Sequence, residues 1–246
     1  MHSEDAGLLQ RNLSTLSRIN PGLAALIAQE APSPLLSFRR SRRGSLVPVL
    51  RAGGGEQPLH SLVDPDREAE RMVQSLGDVG YLVCFGLGGG SVAAAFLRQP
   101  GASGLLVIEK DSSTLRSLLE NVDLASVLSD GRVSITIGLT GIRSIVRSSY
   151  IPTVSGNLAS LAVRPWCAFQ SAFFDAAAAE VRDAVEEAQA DYGVQAAFGK
   201  RWFANIVANL PAAEMVPTRQ VPAGLLQGGL AHVTAAGPSL DESLPS

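Results

Sequence analysis

The stretch from Tyr81 to Asp111, YLVCFGLGGGSVAAAFLRQPGASGLLVIEKD, constrains the fold more than any other part of the chain. It opens on an uninterrupted apolar run, Tyr81 to Phe85, with the character of a strand buried on both faces. A glycine cluster follows at once (Gly86, Gly88, Gly89, Gly90), then an alanine-rich segment, Ser91 to Arg98, that reads as a helix. A second apolar run, Leu105 to Ile108, ends in Glu109. Strand, glycine turn, helix, strand, acid is the order of a Rossmann-like βαβ unit. Glycines let the backbone turn sharply and let a phosphate or ribose come close, and the helix N-terminus offers unpaired N–H donors. Glu109 stands roughly 20 residues beyond the first glycine, where such units place an acid that accepts bonds from ribose hydroxyls. Gly86, Gly88, Gly90 and Glu109 are therefore candidate cofactor-binding residues. The predicted class is α/β: a mostly parallel Rossmann-like sheet with helices on both faces, preceded by a small segment of helices and a β-hairpin.

The glycine spacing defines the fold better than the ligand. Ser91 occupies the place of the third glycine of a dinucleotide fingerprint. The remaining Gly86-x-Gly88-x-Gly90 resembles S-adenosylmethionine-dependent methyltransferases, which implies that cofactor. Those enzymes usually carry an acid two residues before the first glycine and another after the third strand. Here those places hold Cys84 and the run Gly138-Leu139-Thr140. A Rossmann-like layer without a ligand is the competing reading.

The flanking chain supplies the rest of the architecture. Leu8 to Leu16 and Gly22 to Gln29 carry apolar residues at helical spacing, with Asn20 as a cap and Pro21 at the first helical position. Leu35 to Arg40 and Ser45 to Leu50 flank Ser41-Arg42-Arg43-Gly44 as a β-hairpin. The arginines clustered there read as a solvated, charge-protected edge rather than an anion site. Ala52 to Gln57 is a glycine-rich joint. Asp64 and Pro65 open a helix reaching Leu76. His60, just before it, could reach into a cleft; a histidine bonded to local backbone is the plainer expectation. A helix from Ser112 to Val122 and a strand from Arg132 to Ile137 follow, and a further strand lies within Ile151 to Val163. Phe173 to Tyr192 is an amphipathic helix that Gly193 should end or kink. A second helix, Gly199 to Leu210, should stop before Pro211 and carries the polar stripe Arg201, Asn205, Asn209. Beyond a proline- and glycine-rich connector, Leu230 to Ala236 reads as a strand, and Gly237-Pro238-Ser239 as a turn into a helix N-terminus receptive to an anion. Three regions result: 1–57, the N-terminal helices and hairpin; 58–195, the Rossmann-like domain; and 196–246, the start of a further domain.

Composition excludes several classes. The 246 residues are 46% hydrophobic and 17% charged, a globular balance, and the net charge of −3 gives no general attraction to nucleic acid or to a membrane surface. The start, MHSEDAGLLQ, is acidic with no basic n-region or apolar core, so no signal peptide is expected, and no apolar run of the sequence reaches membrane-spanning length. The two cysteines, Cys84 and Cys167, lack metal-ligand spacing, and no metal site is expected. A reducing, cytoplasmic location is the expectation.

Three segments, in order, carry a resemblance over most of the chain: LHSLVDPDREAER (59–71), FGLGGG with VIEKD (85–90 and 107–111), and FGKRWFANIVANL with AAGPSLDES (198–210 and 235–243). Together they resemble the bacterial motility accessory factors, the Maf proteins, which share a domain family with archaeal 6-hydroxymethylpterin diphosphokinases. The resemblance implies transfer of a nonulosonic acid from a CMP-activated sugar to flagellin serine or threonine, or, by the second branch, diphosphate transfer from ATP. It places Gly237, Pro238 and Ser239 at a nucleotide-contacting turn of the central domain, with Asn205 and Asn209 on the helix before it. Family members continue well beyond that turn, so the central domain is expected to be cut short. The chain alone is then expected to be inactive unless a second chain completes it. A non-enzymatic scaffold that binds flagellin is the remaining alternative.

Overall fold

The computed structural model describes residues 2–215. Two compact units divide it, one running to Ala196 and one beginning at Ala197. The first unit opens with helices α1 (His2–Ser17) and α2 (Pro21–Gln29), then strands β1 (Leu36–Arg40), β2 (Leu46–Ala52) and β3 (Gly55–Pro58). These three form an antiparallel sheet in the order β1-β2-β3. Helix α3 (Pro65–Gln74) leads to strand β4 (Tyr81–Phe85), helix α4 (Ser91–Leu97), strand β5 (Gly104–Glu109) and helix α5 (Ser112–Asn121). A short α6 (Ala125–Leu128) precedes strand β6 (Val133–Ile137), followed by α7 (Ile142–Ser149), α8 (Pro152–Ser155), strand β7 (Leu158–Ala162), α9 (Arg164–Phe169) and the long α10 (Ser171–Met215).

The larger sheet is wholly parallel and ordered β6-β5-β4-β7. It is a Rossmann-like sheet flanked by helices. Every residue of β4 and β5 is buried, which is why both read as unbroken apolar runs; the outer strands β6 and β7 are only partly covered. The chain moves outward from β4 through β5 to β6, then returns to lay β7 on the other side of β4. The crevice at the carboxyl ends of β4 and β7 is thus the topological switch point, where ligands of open α/β sheets bind.

Local signals set most boundaries. Asn20 Oδ1 accepts from Leu23 N–H, and Pro21 takes the first position of α2. Asp64 caps α3 and Asp111 caps α5, each by accepting from the amide three residues on. The N-terminal helices are tied to the Rossmann-like layer. Asn12, fully buried, donates to the Leu119 and Val122 carbonyls and accepts from Leu124 N–H, satisfying the C-terminal end of α5. Arg116 of α5 in turn donates to the carbonyls of Ile27, Ala28 and Glu30 at the end of α2.

Several expectations require correction. The glycine-rich joint after Ala52 turns the chain into β3, which pairs with β2, so the hairpin is a three-stranded sheet. Gly53 and Gly54 take the left-handed backbone that the tight turn needs. Neither Gly193 nor Pro211 ends a helix: α10 runs through both. A single internal glycine costs only about 1 kcal/mol against alanine, and the alanine-rich neighbourhood sustains the helix. At Pro211 the helix forgoes the one bond that proline cannot donate to the Val207 carbonyl. In the first unit, α10 buries Phe174, Ala177, Val181, Ala184 and Ala188 along one face. Its outward acids Glu180, Asp183 and Glu187 all reach Arg143 of α7. In the second unit the helical residues Arg201, Asn205 and Asn209 are exposed. The expected strand 230–236 and the turn Gly237-Pro238-Ser239 lie outside the described residues.

Candidate functional site

The glycine turn sits at the carboxyl end of β4, as expected from the strand–turn–helix order. Gly86, Gly88 and Gly90 all have positive φ (83°, 55° and 78°), a backbone that side-chain-bearing residues adopt at a cost. Protein atoms stand close to each. A Cβ on Gly88 would lie 2.1 Å from His60 Nε2, one on Gly90 would lie 2.4 Å from Leu124 Cδ2, and one on Gly86 would lie 3.1 Å from the Trp166 ring. Pro48 of β2 closes on Gly89 in the same way, at 3.4 Å.

Glu109 ends β5 beside this turn and is 1% exposed. Its Oε1 accepts from Leu87 N–H at 2.7 Å and its Oε2 accepts from the Trp166 indole N–H at 3.2 Å. Burial raises its carboxyl from the ordinary 4.5 to about 7, against the pull of those two donors toward the charged form. The acid that the sequence places for a ribose therefore holds the turn's own backbone. Trp166, on α9 after β7, was not singled out by sequence reasoning; it joins the ends of β4, β5 and β7.

On the other side of β4 a cleft of about 490 Å³ opens at the switch point. Cys84 and Gly86 of the β4 end and Leu161 to Pro165 of the β7 end form one side. Leu59, His60 and Ser61, with Glu68 and Met72 of α3, form the other. The walls are mostly apolar, with a few convergent polar groups, the composition of a small-molecule site. Glu68 is fixed by Ser61 N–H, which donates to its Oε2 at 2.8 Å. His60 Nδ1 lies 3.7 Å from the same oxygen, beyond hydrogen-bond range. His60 Nε2 faces Gly88 and has no hydrogen-bond partner among the described residues. His60 is thus not the backbone-bonded histidine that was expected. Burial holds its pKa below the usual 6.5, opposed by the nearby Glu68 charge, so the ring is neutral at pH 7.

The cysteines carry no reactive character. Cys84 is buried and its thiol is pushed up to about 12 by burial; Cys167 donates to the Phe85 carbonyl and is also pushed up to about 12, by burial and then by the Glu109 charge. Among the described residues no group of His, Cys, Asp and Glu is arranged to hold a metal ion, and no helix is long and apolar enough to cross a membrane.

Comparison with known proteins bears on the fold. No family model matches the chain. An uncharacterized protein of Treponema pallidum (strain Nichols) is 30% identical over 125 residues, which make up 50% of this chain and 59% of that protein. Among solved structures, the Maf glycosyltransferase from Magnetospirillum magneticum AMB-1 superposes with a TM-score of 0.51 and 18% identity, over 73% of this chain and 35% of that one. At that identity the likeness shows a shared fold. The chain spans under two thirds of the Treponema protein and about a third of the Maf chain.

Proposed function

We propose that the protein is a Maf-like component of flagellin glycosylation, concerned with transfer of a nonulosonic acid from a CMP-activated sugar to serine or threonine. The observation that carries the reading is the fold likeness to a Maf glycosyltransferase. The motif 59–71 is one of the segments that carry the resemblance; in the structure its His60 packs over the glycine turn and its Asp64 caps α3. In this reading the Rossmann-like unit is the scaffold of the transferase. The resemblance assigns contact with the nucleotide of the donor to Gly237, Pro238 and Ser239. Flagellin is the acceptor, and the reaction takes place in the cytoplasm.

The test is a transfer assay with CMP-nonulosonic acid and flagellin, read as a mass increase of flagellin. The expected result is a mass increase of flagellin that matches added nonulosonic acid residues. No transfer, together with no flagellin pull-down, would overturn the Maf-like reading.

One observation favours a second reading, that of a flagellin-binding scaffold without catalysis. In the second unit Trp202, Phe203, Ile206, Val207 and Leu210 are all exposed large hydrophobics, and contiguous apolar surface of this kind marks protein contacts. A flagellin pull-down that survives mutation of Pro238 but is lost on Phe203→Ser would select this reading.

A further inference from the structure

A Rossmann-like sheet offers two places beside its glycine-bearing strand at the carboxyl edge. In this protein they are unequal. Toward β5, the protein fills the position itself: Trp166, 1% exposed, lies against Gly86 and bonds Glu109, whose other oxygen holds Leu87 N–H. Toward β7 lies the 490 Å³ cleft, and its polar groups come from different elements: α3, the segment before it and the start of α9.

We infer that this cleft binds a ribonucleoside 5′-monophosphate, with Glu68 taking the diol-reading role that the sequence suggests for Glu109. Three features of the cleft match three parts of such a ligand. The first is an anchored acceptor. Ser61 N–H orients Glu68 through Oε2, while Oε1 makes no hydrogen bond among the described residues. A carboxylate held in this way can take both hydroxyls of a vicinal diol, one on each oxygen.

The second is His60, whose side chain is 5% exposed. Its Nδ1 stands 3.7 Å from Glu68 Oε2, too far for a direct bond, yet a single hydroxyl oxygen at about 2.8 Å from each would bond both. A neutral imidazole can serve as donor or acceptor in that bond.

The third is Arg164, on the opposite lip of the cleft, which is exposed and forms no ion pair among the described residues. Its planar guanidinium suits a phosphate. Met72, Val92, Leu161 and Val163 also line the cleft and supply apolar surface for a base. The cleft volume falls within the range of about 300–1,000 Å³ found for small-molecule sites. The inference rests on the described Rossmann-like unit and is independent of whether the protein takes part in glycosylation.

The experiment is isothermal titration of the full chain with AMP, GMP, CMP and UMP, and with the 2′,3′-dideoxy form of whichever binds. At least one ribonucleotide should bind, and its dideoxy form should bind at least about tenfold more weakly. Glu68→Gln, which keeps an acceptor for Ser61 N–H, should weaken the ribonucleotide by a similar factor and leave the near-UV spectrum unchanged. Arg164→Gln should weaken the nucleotide while leaving the corresponding nucleoside unaffected. Absence of binding by all four nucleotides at millimolar concentration overturns the proposal. So does binding that is indifferent to the diol, or indifferent to Glu68→Gln.

Discussion

Gly88 is the point at which the N-terminal segment and the Rossmann-like turn press hardest on one another, and Gly88→Ala measures that contact. Two costs are expected. The left-handed backbone (φ 55°) costs an L-residue about 1–2 kcal/mol. The new Cβ would also stand 2.1 Å from His60 Nε2 and 3.0 Å from Cε1. The ring must move by more than an ångström, although it is 5% exposed and walled in by its neighbours. Forced repacking of this kind costs about 1–3 kcal/mol. The whole effect is then about 2–5 kcal/mol, the sum of those two ranges. Urea unfolding of the wild type, G88A, H60A and the double variant separates the two costs. In the H60A background the steric part vanishes and G88A should cost only the backbone part, about 1–2 kcal/mol. The coupling between the sites is therefore about 1–3 kcal/mol. Additivity within about 0.5 kcal/mol would refute the argument that this glycine exists to admit the His60 ring.

The remaining predictions test other parts of the same unit. Glu109 has a folded pKa of about 7 against an ordinary 4.5, so the folded state holds its proton more tightly. Its contribution is fully present below about pH 4.5 and is lost as pH rises through 7, a change on the order of 3 kcal/mol. Wild-type stability measured from pH 4.5 to 8 should fall relative to Glu109→Gln, and parallel profiles would contradict the assignment. Asn12→Leu strips three hydrogen bonds, two of them buried, from the end of α5 and the start of α6. It should cost about 2–4 kcal/mol in the same unfolding assay, and a change under about 0.5 kcal/mol would show that water replaces the side chain. Both thiols, raised to about 12, should react with a disulfide reagent at pH 8 far more slowly in the folded chain than in urea. Fast labelling of the folded chain would show that the β4 end opens.

The parts of this fold that the sequence revealed are those set by neighbours along the chain. Tyr81–Phe85 and Leu105–Glu109 announced themselves because a strand buried on both faces has no polar alternation to hide it. Asn20 and Asp64 announced two helix starts because a cap acts on an amide three residues away. The glycine pattern likewise announced a turn with left-handed backbone. It was silent about what stands over that turn, since the answer comes from elsewhere: His60 from before α3, Leu124 from before α6, Trp166 from after β7. Trp166 and Glu109 are 57 residues apart and meet only because β7 returns to pair with β4. That pairing is set by tertiary packing, and β7 is a short, half-covered strand with little periodicity of its own. The same return of the chain builds the cleft. Once β7 lies beside β4, Arg164 must emerge at the carboxyl edge across from whatever precedes and begins α3, which here is His60, Ser61 and Glu68. Glu109 drew attention because it follows the glycines at a familiar distance; Glu68 did not, because its relation to the site exists only in three dimensions. The choice between them as the reader of a ribose is therefore a question about strand order, and it is decided by whether a ligand's hydroxyls respond to Glu68→Gln.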